Sequence, residues 1–352
     1  MKLCGLYDPS SPGYRDLFEA LAEKAEVRAV APACWGAIMD RRPAIRVRPL
    51  FLPVWPGRRP WRQALHVPLL KRLAAGCDAA LFTRPDQRPL LPAFAGKVRG
   101  YLACDDFTQY GRDWDADELD LIRSVDCVIA VSKRLADRLA RRADLPRERI
   151  AVLPNAIPAR HVPPVPPARP RASGQPLAGV LGRVSSRLRL DWLVECIEAT
   201  PWLHWVLAGD VEEGELLEAD RPRIEWLRRH PRCTLTGRLS YDALAALAAT
   251  LDVGVMPYSE RSVNPHGSPM RLFLHLPCGA PILSTPGCPQ SDEFAPLVRR
   301  CDSADELVAA LESLRQAGFD DGLRPARWLA AQDHTWERRA DVLLTLLRER
   351  AP

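Results

Sequence analysis

Short apolar runs alternate with helical segments along this chain, and a proline-rich stretch interrupts the alternation once. Apolar runs separated by helices predict a parallel sheet that is covered by helices on both faces. The first half predicts strands at Leu3–Tyr7, Val27–Ala31, Asp78–Phe82, Val98–Cys104, Cys127–Val131 and Ile150–Leu153. The second half predicts strands at Leu177–Leu181, Trp205–Ala208, Cys233–Leu235, Val253–Met256 and Ile282–Ser284. The expected fold is therefore α/β, with two doubly wound, Rossmann-like halves.

The helices are predicted from apolar residues that recur at helical spacing. Tyr14, Leu17, Phe18 and Leu21 recur at i, i+3, i+4 and i+7, which is typical of an amphipathic helix. The other predicted helices are Lys133–Arg142, Leu190–Ala199, Tyr241–Ala249, Pro269–Leu276, Ala304–Gln316 and Trp336–Arg348. In the last of them, Val342, Leu343, Leu346 and Leu347 are expected to share one face.

The proline-rich stretch predicts a domain boundary. A chain of 352 residues exceeds one typical core, so two domains of similar size are expected. Residues 158–176 lack periodicity and carry many prolines, which is typical of a stiff, extended linker. We therefore expect domains at 1–157 and 177–335, with a cleft between them where ligands bind outside the carboxyl ends of the strands.

The composition predicts a folded protein of the cytoplasm. No apolar run reaches the length that spans a bilayer, and MKLCGLYDPSS lacks the apolar core and cleavage site of a signal peptide. The ten cysteines are scattered without a CxxC pair, so we expect free thiols in a reducing compartment and no metal site. A net charge of +5 is too mild to indicate nucleic acid.

The positive charge is concentrated between Arg41 and Arg72. This segment contains no acidic residue, and large apolar residues, Trp55 and Trp61 among them, lie between its arginines. Basic residues mixed with large apolar ones suit the face of an anionic membrane. A proline-rich surface loop kept soluble by arginines is the alternative. The segment therefore predicts a peripheral contact through 41–72, at the inner face of the cytoplasmic membrane.

The stretch from Asp252 to Thr285 predicts an anion site. It reads as strand, loop, helix, turn and strand, and its loop places Ser268 and a helix start beside Arg271. Amide hydrogens, the positive end of a helix and a guanidinium together suit a phosphate or diphosphate. An ordinary αβ unit with a surface arginine is the alternative.

Three further stretches point to the expected cleft. LGRVSSR follows the first strand of the second half, so Gly182 would let a ligand approach and Arg183 would face the crevice. ACDDF ends a strand of the first half, where a carboxylate could accept a proton, although Asp105 or Asp106 could equally cap a segment or pair with an arginine. PSSPGY, with Ser11 and Gly13, has the small residues of an anion-tolerant loop.

Four pieces of the second half resemble GT-B glycosyltransferases of the family 4 type. They are GVLGRVSSRLRLDWL, LHWVLAGD, LTGRLSYDALAALAATLDVGVMPY and SPMRLFLHLPCGAPILST, in that order. CVIAVSKRLADRL and IAVLPNAI resemble the closing strands of the N-terminal domain in that family. HTWERRADVLLTLL resembles the last helix, so residues 336–352 are expected to pack back on the first domain.

The resemblance implies that the second domain binds a nucleotide-diphosphate sugar, with UDP or GDP as the nucleotide, and that the first binds the acceptor. Arg183 and Arg271 would neutralise the diphosphate, and Gly237 and Arg238 would lie near the base. In the family, the helix that corresponds to SPMRLFLHL carries a glutamate that usually holds the ribose hydroxyls. This position is Leu274 here. The implied donor-binding residues are Gly182, Arg183, Gly237, Arg238, Tyr258, His266, Ser268, Pro269 and Arg271. Ser11, Gly13 and Asp106 are the implied acceptor-side or loop residues.

The chain is also similar to the xanthan glucuronosyltransferase, an inverting GT-B enzyme that lacks the same glutamate. A catalytic aspartate of that enzyme follows a strand resembling YLACD, which points to Asp105 as the base that deprotonates the acceptor. Arginines would carry the leaving-group charge, so no metal and no cofactor are expected. The expected acceptor is a glycan or a lipid-linked glycan. Retention or inversion stays open, as do a sugar-nucleotide epimerase and a non-catalytic GT-B subunit.

Overall fold

The computed structural model of the chain describes residues 1–7, 12–32, 49–52, 60–110, 114–168, 174–261 and 263–350. The chain forms two compact units. Residues 1–158 and 336–352 form unit 1, and residues 159–335 form unit 2. The last helix therefore belongs to the unit in which the chain begins.

Unit 1 is built on a parallel sheet with the strand order β3-β2-β1-β4-β5-β6-β7. Its strands are β1 (Lys2–Leu6), β2 (Glu26–Pro32), β3 (Pro49–Leu52), β4 (Ala79–Phe82), β5 (Val98–Ala103), β6 (Cys127–Ala130) and β7 (Ile150–Val152). Its first helices are α1 (Pro12–Ala22), α2 (Pro60–Ala74), α3 (Asp115–Ser124) and α4 (Lys133–Ala143). The strand order reverses between β1 and β4, and such a switch point opens a crevice at the carboxyl ends of the strands.

Unit 2 repeats this plan with the strand order β10-β9-β8-β11-β12-β13. Its strands are β8 (Leu177–Leu181), β9 (His204–Ala208), β10 (Cys233–Leu235), β11 (Val253–Met256), β12 (Ile282–Ser284) and β13 (Val298–Arg300). Its helices are α5 (Leu190–Ala199), α6 (Arg221–Arg229), α7 (Tyr241–Ala248), α8 (Met270–His275), α9 (Ala304–Gln316) and α10 (Arg324–Asp333). The switch point of this sheet lies between β8 and β11.

The final helix, α11 (Trp336–Arg348), packs against α1 and β5 of unit 1. It starts where the Trp336 amide donates to the Ile157 carbonyl at 3.0 Å. Leu347 fills the space beside Gly100, where an added Cβ would lie 2.9 Å from the leucine. A methyl group at Gly100 would therefore require the Leu347 side chain to move.

The predicted apolar face of α11 was wrong in part. Leu343 and Leu347 are buried as expected, but Val342 is exposed and Leu346 is half-buried. Leu344 is buried in their place, because the helix presents the row of Trp336, Ala340, Leu343, Leu344 and Leu347 to its neighbours. This row follows the spacing i, i+4, i+7, i+8 and i+11, which is one face of a helix.

The α/β fold with two doubly wound sheets is confirmed, and so are the predicted strands in both halves. Sequence reasoning missed β3 and α2, which fall wholly or largely inside the basic segment 41–72, and it also missed β13, α6 and α10. Prolines at the start of β3 and inside α2 conceal both elements from a periodicity argument. None of the helices in the described part of the chain combines the length and apolar character needed to cross a bilayer.

Candidate functional site

The candidate site of unit 2 begins with two glycines at the carboxyl ends of β8 and β9, beside the switch point of the sheet. Gly182, directly after β8, has φ = +91°, a conformation that side chains other than glycine rarely adopt. Gly209, directly after β9, lies so close that an added Cβ would be 2.4 Å from the Gly182 carbonyl oxygen. The loops after β8 and β9 can therefore touch only because both positions are glycine.

Hydrogen bonds join the loop after β8 to the loop after β11. The Arg189 amide donates to the Pro257 carbonyl at 2.7 Å, and the Ser259 amide donates to the Arg187 carbonyl at 2.8 Å. The buried Asn264 side chain donates to the carbonyls of Arg187 and Ser259, at 2.7 and 2.8 Å. Since one amide group satisfies both carbonyls, the backbone around the switch point is fixed from two sides. Sequence reasoning missed Asn264, because a loop asparagine gives no signal of its partners.

Arg271, in the first turn of α8, is the central charge of this region, and its side chain is buried. Its Nη2 donates to the Arg183 carbonyl, and its Cζ lies 5.0 Å from the centre of the Tyr258 ring. A Cβ built on Gly182 would meet the same guanidinium at 3.7 Å. Within the described ranges, Arg271 Nε has no hydrogen-bond partner. A buried cation with an unused N–H group is suited to bind an anion.

The guanidinium of Arg183 has different surroundings from that of Arg271. The Arg183 side chain is 63% exposed, and its Nη1 lies 3.3 Å from Glu212 Oε1 in the loop after β9. Only the backbone carbonyl of Arg183 reaches Arg271. The structure therefore joins the two predicted arginines through one main-chain contact, and an exposed ion pair such as Arg183–Glu212 is weak and easily exchanged.

The other predicted donor-side residues near α8 differ in their burial. Tyr258 is buried, its carbonyl accepts from Thr285 Oγ1 at 2.6 Å, and burial raises the pKa of its hydroxyl, with the Arg271 charge opposing that shift. Ser268 and Pro269 are buried directly before α8, and His266 is half-buried in the preceding turn.

Gly237 and Arg238 follow β10, which is an edge strand separated from β8 by β9. Gly237 has φ = +67°, and Arg238 is exposed. The positive φ of the glycine allows a sharp turn at the end of the strand, and the arginine that follows is exposed to solvent. The structure thus groups Gly182, Tyr258 and Arg271, and holds Gly237 and Arg238 at the far edge of the same sheet.

Two residues of α8 depart from what a sugar-nucleotide site needs. Leu274 is buried and offers no hydrogen bond to a ribose hydroxyl, as the sequence implied. His275 is buried with its imidazole against Gly254, and its Nε2 has no partner in the part of the chain that the structure describes. Burial, together with the nearby Arg271 charge, lowers the pKa of His275 to about 3. His275 is therefore neutral at physiological pH.

In unit 1, Asp105 is half-buried at the carboxyl end of β5. The neighbouring Tyr14 hydroxyl contacts Cys104 Sγ and donates to the Thr83 carbonyl at 3.0 Å, directly after β4. Burial raises the pKa of Tyr14 well above its ordinary value, and Cys104 and the Asp105 charge add to that effect. Asp105 thus lies close to the switch-point edge of its own sheet.

Asp106 has the structural role that was the alternative for this pair of aspartates. Its carboxylate is 1% exposed, lies 3.1 Å from Arg138 Nε and accepts from Thr108 Oγ1 at 2.6 Å. Arg138 Nη2 also donates to Thr108 Oγ1 at 2.9 Å. These contacts fix the turn that presents Asp105, so the carboxylate of Asp106 anchors this turn.

The predicted loop residues of unit 1 are only partly described. Gly13 lies in α1, where an added Cβ would be 3.5 Å from the Trp336 ring, whereas Ser11 lies outside the described residues. Residues 41–48 and 53–59 of the basic segment also lie outside them, whereas β3 and α2 are described. No cluster of three or more His, Cys, Asp or Glu side chains suited to a metal occurs in the ranges that the structure describes.

The sequence profile named Glycosyltransferase Family 4 matches residues 103–161, which include Asp105 and the end of unit 1. The chain is 28% identical over 246 residues to the 2-deoxystreptamine N-acetyl-D-glucosaminyltransferase of Streptomyces fradiae. That match covers 64% of this chain and 56% of the enzyme, so the chain spans little more than half the length of this relative.

Solved structures match nearly the whole chain at low identity. Alr3699/HepE of Anabaena, in complex with UDP and glucose, has a TM-score of 0.74 at 14% identity and covers 99% of this chain and 100% of its own. Sucrose-phosphate synthase of Thermosynechococcus elongatus has a TM-score of 0.75 at 17% identity and covers 99% and 98%. A UDP-GlcNAc 2-epimerase of Methanocaldococcus jannaschii matches less well, with a TM-score of 0.61 at 10% identity over 99% and 100%.

The fold of the chain is therefore GT-B, two Rossmann-like units of which each has its own switch point. Within that fold, residues 103–161 match the Glycosyltransferase Family 4 profile, and 246 residues of the chain are similar to a glycosyltransferase.

Proposed function

We propose that this protein is a glycosyltransferase that moves a hexosyl group from a nucleotide-diphosphate sugar to an acceptor hydroxyl. The observation that carries the proposal is the buried guanidinium of Arg271, which lies beside Gly182 and has an unused N–H group. Such a group suits a diphosphate better than it suits a neutral ligand. UDP is the first candidate nucleotide, because HepE was solved with UDP and the Streptomyces fradiae enzyme transfers an N-acetylglucosaminyl group.

The proposed roles follow from the chemistry of each side chain. Arg271 binds the diphosphate of the donor and, as the sugar departs, stabilises the charge that develops on the nucleotide diphosphate. Arg183 leaves its exposed pair with Glu212 and adds a second positive charge. Asp105 accepts the proton of the acceptor hydroxyl as that oxygen attacks the anomeric carbon of an inverting displacement. With two guanidinium groups for the leaving group, the reaction requires no metal and no cofactor besides the donor substrate.

The acceptor that we propose is a glycan or a lipid-linked glycan, within the synthesis of a surface polysaccharide or glycoconjugate. The acid-free, tryptophan-bearing segment 41–72 supports this choice, because it would bring the protein to the inner face of the cytoplasmic membrane. The Streptomyces fradiae relative is a 2-deoxystreptamine N-acetyl-D-glucosaminyltransferase, and it marks the alternative of a small soluble acceptor.

Product analysis with purified protein tests this proposal. UDP-, GDP-, ADP- and CDP-linked sugars are incubated with the protein, with and without a mixture of membrane-extracted glycolipids. A transferase releases the nucleotide and attaches the sugar to an acceptor only when the acceptor is present. Release of nucleotide and an epimerised free sugar without any acceptor would instead establish an epimerase reaction, whereas release of the unchanged sugar would be hydrolysis of the donor by water.

Nucleotide binding without product under any condition would favour a non-catalytic GT-B subunit, for which Leu274 is the supporting residue. No binding of any nucleotide would overturn the proposed donor site itself. The enzyme and the subunit are thus separated by turnover, and the donor site is tested by binding alone.

A further inference from the structure

The helix α2 presents an apolar stripe to solvent. Leu65 is 66% exposed and Leu69 is 44% exposed, and Pro68 and Arg72 are exposed beside them. These four residues follow the spacing i, i+3, i+4 and i+7, which places them on one face of the helix. Water therefore contacts two large leucines one turn apart, on an element that is long enough to lie along a surface.

The opposite face of α2 belongs to the core of unit 1. Leu70 and Ala74 are buried, and the helix packs against the segment Pro85–Phe94. Because the inner face is packed against the core, the exposure of the two leucines does not result from poor packing of the helix. The helix therefore carries apolar residues on both its inner and its outer side.

The charge of the sequence in and around α2 indicates an occupant for this face. From residue 41 to residue 77 the sequence has no aspartate or glutamate, and Lys71 and Arg72 are exposed in the last turn of the helix. Nine arginines and lysines fall in this stretch, at 41, 42, 46, 48, 58, 59, 62, 71 and 72. An apolar stripe with basic flanks and no acidic residue matches the interface of an anionic bilayer, where leucines enter the acyl region and cations stay among the headgroups.

We propose that the face of α2 formed by Leu65, Pro68, Leu69 and Arg72 docks on an anionic lipid bilayer. This face deepens the proposed function, because it would bring unit 1 to a lipid-linked acceptor, and it rests on that function for the acceptor alone. Lipid binding is measured without donor or acceptor, so either proposal can fail without the other.

The test is co-sedimentation of the full chain with vesicles of phosphatidylcholine containing phosphatidylglycerol, and with pure phosphatidylcholine. The wild type should bind the anionic vesicles, less at high salt, and should bind the neutral ones weakly. The double variant Leu65→Ser/Leu69→Ser should bind the anionic vesicles about tenfold or more weakly, since two insertions are lost. The matched control is Leu217→Ser/Leu329→Ser in unit 2, whose leucines are 44% and 58% exposed, and it should bind as the wild type does.

Three outcomes would overturn the proposal. The wild type could fail to sediment with anionic vesicles, or the control could lose binding as strongly as the α2 variant does. Gel filtration could also show a dimer that only the α2 variant dissociates, without any vesicle binding, and a second copy of the chain would then cover this face. An unchanged melting temperature and unchanged nucleotide binding of the α2 variant establish that it is folded.

Discussion

The carboxyl edges of the two sheets place their charges in different ways. In unit 2, Arg271 is fixed by a backbone carbonyl, by the Tyr258 ring and by the backbone of Gly182. In unit 1, Asp105 is half-buried on a turn that the ion pair of Asp106 and Arg138 holds. One edge therefore offers a buried cation on a hydrogen-bonded backbone, and the other offers a more exposed carboxylate on a base of side-chain pairs.

This difference fits a division of chemical work. An anion that must bind in one position is best met by a pre-organised cation, whereas a proton acceptor needs access to its substrate and a carboxylate that stays ionised. Unit 1 has further buried side-chain contacts of this kind. Glu118 forms an ion pair with Arg142 and accepts a hydrogen bond from the Tyr101 hydroxyl. We therefore expect some substitutions in unit 1 to reduce turnover and others to reduce the free energy of unfolding, depending on the residue.

The largest expected effect is that of Asp105→Asn. Amide for carboxylate removes the proposed proton acceptor and keeps the size of the side chain, so turnover should fall by about 10²–10⁴-fold while nucleotide affinity is unchanged. Steady-state kinetics together with calorimetric titration of UDP measures both quantities. Asp120→Asn, an exposed aspartate of the same unit, is the control and should leave both unchanged. Equal turnover in the two variants would remove Asp105 from the mechanism.

The neighbouring substitution Asp106→Ala should act on stability. It leaves the Arg138 guanidinium and the Thr108 hydroxyl without their buried acceptor, which should cost about 3 kcal/mol of unfolding free energy. Asp120→Ala breaks an exposed pair with Arg88 and should cost less than about 1 kcal/mol. Urea unfolding of both variants makes the comparison. Similar losses would mean that the Asp106 pair is no more than a surface contact.

The pH dependence of the free energy of unfolding tests whether His275 is buried away from water. The pKa of His275 is about 3 in the folded chain against an ordinary value of 6.5, so the unfolded chain binds one proton more between these values. The unfolding free energy should therefore fall as the pH drops below 6.5, by on the order of 2 kcal/mol at about pH 5. His275→Leu should remove that part of the dependence. An unchanged slope in the variant, measured by urea unfolding at each pH, would contradict a buried neutral histidine.

The smallest expected effect is that of Arg183→Ala. The side chain is largely exposed and already paired with Glu212, so its loss should weaken nucleotide binding by about tenfold or less. The backbone carbonyl that Arg271 uses is retained in the variant. If the same calorimetric titration showed a loss of nucleotide affinity as large as that of an Arg271 variant, the two arginines would contribute equally to donor binding. The buried and the exposed arginine would then not differ in role.

Most of the fold could be predicted from the sequence, because buried parallel strands are continuous apolar runs. Val253–Met256 and Ile282–Ser284 are examples that the structure reproduces to the residue. β3 and α2 could not be predicted, since a proline at the start of a short strand or inside a helix argues against either element when only the sequence is read. The rotation of α11 was misjudged, because Leu343, Leu344, Leu346 and Leu347 offer two overlapping apolar faces and only packing selects between them.

The candidate site was predictable in its residue types and not in its geometry. Arg271 and Asp105 are named by their places after strands and by a family resemblance. That Arg271 is buried, that Asp106 is consumed by Arg138, and that Asn264 joins two loops depends on contacts between residues distant in sequence. The predicted roles of Arg271, Arg183 and the other donor-side residues in donor binding, and of Asp105 in catalysis, stay predictions.

The most direct test of the account is calorimetric titration of UDP into the wild type, Arg271→Lys and Arg271→Met. Methionine keeps much of the buried volume and removes the charge and the N–H donors, whereas lysine keeps the charge and loses the fork of donors. We expect UDP to bind the wild type, to bind the methionine variant about 100-fold more weakly or worse, and to bind the lysine variant with intermediate affinity. UDP affinity that is the same in all three proteins, with melting temperatures unchanged, would contradict Arg271 as the group that holds the donor.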